Sequence, residues 1–156
     1  MPTKIKNYTS IVSPDKSIAA IEKMLREAGA SYVGKNYDNG EVVGFTFTLI
    51  VEGQPKTFKL PCNVPVVFDV LKPAGWMSEK KIRALHEQAK RTAWRLLSDW
   101  VAVQLSMIKL RQAEAVQIFL PYIYDTLADK TFFEYMRETG YKLLGAPKPV
   151  DPEEPE

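Results

Sequence analysis

The stretch SYVGKNYDNGEVVGFTFTLIVEGQPKTFKL, residues 31–60, decides the fold class. Asn39-Gly40 tolerates positive φ at both central positions of a two-residue turn, which is the strongest short-range hairpin signal. Beyond that turn Val43, Phe45, Phe47, Leu49 and Val51 alternate with Thr46 and Thr48, the period-two pattern of a strand with one buried face. A second turn at Glu52-Gly53-Gln54 leads into KTFKL, whose Phe58 and Leu60 continue the apolar side. These residues predict a three-stranded antiparallel meander with one face in need of cover.

The flanking segments supply that cover in helices. Upstream, Ser13 is placed as an N-cap with Pro14 at the first helical position and Asp15 in the first turn; Ile18, Ile21, Leu25 and Ala28 form an apolar stripe that Gly29 closes. Downstream, Pro61 and Pro65 stop the last strand, and VVFDVL before Lys72-Pro73 is short enough for a helix or a strand, with helix favoured. KPAGWM reads as a connecting loop, and Ser78 caps the longest element, from about Glu79 to Leu110.

Within that element RTAWRLLSDW, residues 91–100, holds two tryptophans six residues apart. On a helix they lie about 120° from each other, so one core cannot take both. With Trp100 as centre, Ile82, Leu85, Ala89, Ala93, Leu96, Val103 and Met107 fall within about 60° and read as the core stripe. Lys80, Arg83, Glu87, Arg91, Trp94, Arg95 and Ser98 fall on the far side, which makes Trp94 the outward tryptophan. Further on, AEAVQIFLPYIYD is expected to form a short helix ended or bent near Pro121, and Thr131 with Glu134 matches a capping box opening a last helix that Gly140 ends. The order predicts one α+β domain over residues 1–145, with helices packed on one sheet face.

Composition narrows the possible chemistry. At 156 residues and 46% hydrophobic content the chain suits one compact core, and it holds neither an apolar run long enough to cross a membrane nor a secretory leader, so a cytoplasmic location is expected. Cys62 and His86 are the single cysteine and histidine, which excludes an internal disulfide and a zinc site built from such ligands. Cys62, in LPCNVP, fits a buried structural thiol better than a nucleophile, and His86 fits the edge of the core stripe better than a general base. Asp69, Glu87, Asp99 and Glu114 lack metal-gathering spacing, no glycine-rich phosphate loop is present, and no cofactor is implied. An enzyme is therefore disfavoured. The tail APKPVDPEEPE, residues 146–156, carries one lysine and four carboxylates; removing these from 21 basic and 19 acidic residues leaves 20 and 15, so the body is about +5. Proline-rich and almost without apolar residues, the tail is expected to be extended and disordered.

The segments RTAWRLLSDWVAVQLSMI and EAVQIFLPYIYD, with NYDNGEVVGFTFTL and FKLPCNV upstream, resemble a family of small proteins encoded in bacteriophages and prophages, over roughly residues 5–145. The resemblance implies a phage protein of the host cytoplasm, in a replication or recombination module. It brings no catalytic residues, and the tail lies outside it.

Function is read from the far side of the long helix. Segment 79–95 holds six basic and two acidic residues, a positive stripe suited to phosphates, and Trp94 upon it is placed to stack on an unpaired base. The expected site is Lys80, Arg83, Lys90, Arg91, Trp94 and Arg95, binding single-stranded DNA or RNA without catalysis, with Tyr32, Tyr37, Lys35, Lys56 and Lys59 of the meander as an extension. Two other readings stand beside it. Trp94 and its arginines equally suit the centre of an interface with a protein partner or a second copy. Alternatively, Arg83, Glu87 and Arg91 form an ion ladder and Trp94 packs beneath neighbouring elements.

Overall fold

The computed structural model describes residues 4–142. The acidic tail lies outside the described residues. Helix α1, Pro14–Glu27, starts where the Ser13 hydroxyl accepts from the Lys16 amide at 3.3 Å and ends before Gly29, at φ 91°. It buries Ile18, Ile21 and Leu25. Strands β1, Tyr32–Asp38, β2, Glu41–Val51, and β3, Gln54–Pro61, form the antiparallel meander in chain order. Asn39 and Gly40 stand at φ 49° and 77°, and Glu52 and Gly53 at 51° and 76°, so both turns have the positive φ that follows the right-handed twist of the strands.

Phe45, Phe47, Leu49, Phe58 and Leu60 are buried on the inner face of the sheet. The alternation breaks at Val43. Asn36 pairs with Gly44 but Tyr37 with Val42, so β2 carries an extra residue: Val43 turns to solvent while Val42 packs against the core. On the outer face the Thr48 and Thr57 hydroxyls bond at 2.9 Å, the Thr46 hydroxyl donates to the Asn36 amide oxygen at 3.0 Å, and the Tyr32 ring occupies the space that a side chain at Gly34 would need.

Residues VPVVFDVL form α2, Val64–Leu71, a helix rather than a strand. The long helix α3, Glu79–Lys109, is capped by the Ser78 hydroxyl, which accepts from the Lys81 amide at 3.3 Å. It packs against both α1 and α2. The chain then forms α4, Ala115–Phe119, a 3₁₀ turn, Leu120–Tyr122, that contains Pro121, and α5, Phe132–Glu138, opened by the reciprocal Thr131 and Glu134 bonds. Between the turn and α5 lies a hairpin that the sequence reading did not anticipate, β4, Tyr124–Asp125, with β5, Lys130–Thr131; the Asp125 carboxylate closes it by accepting from the Leu127 and Ala128 amides at 2.9 and 3.1 Å.

Helix α3 is turned about its axis from the expected orientation: Ala89 and Ala93 of the expected core stripe are buried as read, but the centre of the buried face shifts toward Trp94. Trp94 is 2% exposed, its ring set edge-on to Phe45 with centroids 6.1 Å apart and planes at 84°. The inward face runs through Ala93, Trp94, Ser98 and Val101, whereas Leu96, Val103 and Met107 of the expected core stripe lie open. Trp100 is half-buried, edge to face with Phe119 and Tyr122 at 5.8 and 5.9 Å. Periodicity fixes which residues share a face of a helix; it does not say which of two apolar faces meets the sheet. The backbone of α3 lies close to α1 and α2, and the Trp94 indole spans the depth from the helix to Phe45 of the sheet. Trp94→Ala is therefore expected to cost about 3–5 kcal/mol, the range of aromatic deletions from cores. Trp100→Ala should cost about 1–2 kcal/mol, since part of its area is already in water. Urea denaturation of the two variants checks the order.

Candidate nucleic-acid interface

The six residues expected to form one basic surface are divided among different tasks. On the polar side of α3 the Arg91 guanidinium donates to the Gln88 side-chain oxygen at 2.7 Å and to the Ser10 carbonyl at 3.3 Å, and the Gln88 amide donates to the carbonyls of Tyr8 and Ser10 at 3.0 and 3.2 Å. The Thr92 hydroxyl donates to the Asn7 carbonyl at 3.0 Å. Asp99 accepts from the Asn7 amide at 2.9 Å and pairs with Lys6 at 2.9 Å and Arg95 at 3.3 Å. Residues 6–10 have no helix or sheet ladder to satisfy their carbonyls, and these side chains donate in its place. Arg91 and Arg95 thus serve to fasten the N-terminal segment along α3. Lys90 lies between Glu41 at 3.2 Å and Glu87 at 3.5 Å, and its pKa is raised, chiefly by the bond to Glu41. The ladder of Arg83, Glu87 and Arg91 is replaced by these pairs.

Burial pushes the Asp99 carboxyl up, but its bonds to Asn7 and Lys6 and the charge of Arg95 outweigh burial and hold it below the ordinary carboxylate value. A carboxyl depressed in the folded state stabilises fully above its unfolded pKa, near 3.9, and that contribution disappears as pH falls through the lower folded value. Amide exchange in residues 6–10, measured against pH on either side of 4 and corrected for intrinsic rates, should show protection falling in acid. The Asp99→Asn variant should show weaker protection already at pH 7.

With Trp94 sealed, the open indole is Trp76, 90% exposed in the loop between α2 and α3, directly after Gly75 at φ 98°. It borders an open hollow of about 710 Å³ lined also by Phe68, Lys72, Met77, Ile82 and His86. The Phe68 and His86 rings stack at 3.9 Å and 7° on its wall, which gives the histidine an aromatic partner from α2. Lys72 stands at 4.0 Å from Asp69. Lys80, Lys81 and Arg83, on the first turns of α3, are exposed and enter no ion pair among the described residues. Lys80 and Arg83 are thus the two members of the expected set that stay free. Val66 and Val70 of α2 also face solvent.

Trp76 stands in a Pro/Gly loop and belongs to no periodic stripe, so the sequence pattern does not place it. That isolation was the available signal, since a side chain off every apolar face has no element to bury it. On the sheet Tyr32 and Tyr37 are exposed, as the extended surface requires, but Lys35 is paired with Glu22 at 3.4 Å, and Lys59 with Asp129 at 3.5 Å while lying over the Tyr124 ring. Lys56 stays exposed.

Cys62 is buried, and burial pushes its thiol up to about 12, which leaves it protonated and inert at neutral pH. Among the described residues no three His, Cys, Asp or Glu side chains gather where a metal ion could be held, and no helix is long and apolar enough to cross a membrane. Neither protein-family models, curated proteins nor solved structures match the chain. A thiol reagent at pH 8 should leave Cys62 unmodified in native protein and react stoichiometrically once urea unfolds it; rapid native labelling would contradict this burial.

Proposed function

We propose that the protein binds single-stranded nucleic acid through Trp76 and the cations at the head of α3, Lys80, Lys81 and Arg83. The observation that carries this reading is a fully open indole beside free cations on the first turns of the following helix. Every base offers a π face, so an exposed indole stacks on an unpaired strand with little sequence preference, contributing about 1–3 kcal/mol per base. The cations neutralise phosphates and release counterions. The likeness to phage proteins supports an accessory role on single strands during replication or recombination.

A second reading has its own support in Val66 and Val70, which leave apolar surface open on α2. Tryptophan with aliphatic neighbours and a basic rim also suits the centre of an interface with an acidic protein partner.

A titration of labelled oligo-dT at two salt concentrations separates them. Three phosphate contacts on a single strand give a slope of roughly −2 in log affinity against log salt. Trp76→Ala should weaken binding about 5- to 150-fold, the equivalent of one lost stack, without lowering the melting temperature. Paired replacement of Lys80 and Arg83 by Ala should flatten the salt slope. Lack of oligonucleotide binding at low salt, or binding indifferent to Trp76, favours the protein partner.

A further inference from the structure

The side chains open or half-open along the second half of α3 and at its C-cap follow a rule. Leu96, Trp100, Val103, Met107 and Leu110 succeed one another at intervals of four, three, four and three residues. That alternation is the heptad spacing at which one helix presents its side chains to another nearly parallel helix. The same spacing runs back through Ala93, Ala89, His86 and Ile82. Over that first half it is partly covered: Ala89 and Ala93 are buried and Phe68 of α2 stacks on one face of His86, while Ile82 and His86 also line the open hollow. Over the second half it is more open, with Leu96 39%, Val103 55%, Met107 37% and Leu110 69% exposed and Trp100 half-buried.

We infer that the protein forms a reversible homodimer in which the second half of α3 packs against the same segment of a second copy, antiparallel, with the twofold axis at Val103. This rests on a different face from Trp76, so either proposal can fail alone.

The spacing specifies a helix as the occupant, and two facts about the chain specify which one. The apolar stripe of α1 is spent on Ile18, Ile21 and Leu25 in the core, and α2, at eight residues, already lies on the first half of α3. A matching, unspent stripe is found on α3 itself. Twofold contact requires a surface that tolerates its own image. Between Leu96 and Leu110 there are two charged side chains: Asp99, which Lys6 and Arg95 neutralise within each copy, and Lys109 at the end of the stripe. With an antiparallel axis at Val103 the two Lys109 residues fall at opposite ends of the contact, so no like charges are opposed at its centre. An axis at Val103 sets Leu96 against Leu110 of the second copy and Trp100 beside its Met107, an aromatic–thioether contact. A parallel pair sets the two bulky indoles against each other instead.

Size fixes the strength. The stripe leaves on the order of 400 Å² of apolar surface open on each copy, within the range of the largest patch on a typical monomer. Two of them with their polar fringe reach the small end of specific interfaces, below about 1,200 Å² in total, where association is weak and transient. The expected association is weak and reversible rather than obligate.

Sedimentation equilibrium over a concentration series tests this, with purified protein and no nucleic acid present. The expected result is a weak, reversible monomer–dimer equilibrium. Val103→Glu, at an exposed position, should abolish the dimer while leaving circular dichroism and melting temperature at low concentration unchanged. Val103→Cys should form a disulfide-linked dimer under mild oxidation, because the axis brings the two positions together. Leu96→Cys and Leu110→Cys should cross-link efficiently when mixed and poorly when each is alone. A monomer at every concentration up to about 1 mM overturns the proposal. A Val103→Glu variant that still dimerises overturns it as well, as does cross-linking of Leu110→Cys alone as efficient as that of Val103→Cys.

Discussion

The edge of Trp94 against the ring of Phe45 is the contact on which the arrangement of layers depends. The meander buries a row of large side chains on one face, and the only other sheet among the described residues is the short β4–β5 hairpin, so helices must cover that face. Trp94 fixes α3 in rotation: once its indole fills the space above Phe45, Val101 is carried inward by the same turn and Leu96 and Val103 are carried out. Trp100 then falls at the side, where Phe119 and Tyr122 receive it and draw the α4 segment into place. Fixing one large ring settles the rotation of a 31-residue helix.

The opposite side of the same helix illustrates why charge is a poor guide to function. Arg91 and Arg95 look available in sequence because the residues that occupy them, Ser10 and Lys6–Asn7 acting through Asp99, lie more than eighty positions away. Carbonyls of an irregular segment require donors wherever they settle, and a guanidinium on a nearby helix supplies them at low desolvation cost. Lys80 and Arg83, on the exposed first turns of α3, enter no ion pair among the described residues.

What was legible in the sequence was whatever is decided locally. Both turns, the Ser13 and Ser78 caps, the Thr131 capping box and the Gly29 stop are each determined within four residues, and each is found where it was read. The strand alternation held until the bulge at Val43, which depends on how β1 pairs. Rotation of α3 was illegible because two apolar stripes compete on it and the choice depends on Phe45, some fifty residues earlier. The candidate site shifted for the same reason: Lys80 and Arg83 stand, Trp94 gives way to Trp76, and Lys90, Arg91 and Arg95 belong to the scaffold. The β4–β5 hairpin, at two residues per strand, is too short for any period to announce it.

The three indoles occupy three settings along the molecule: one enclosed among apolar side chains, one flanked by rings yet partly wet, and one surrounded by water. Indole emission shifts to longer wavelength as its surroundings become more polar, so the intrinsic fluorescence of this chain is a composite of three bands. Its red component belongs to the loop ahead of α3 and its blue component to the junction of helix and sheet. An added quencher such as iodide therefore dims the loop first, and the unlabelled protein reports separately on its surface and on its interior.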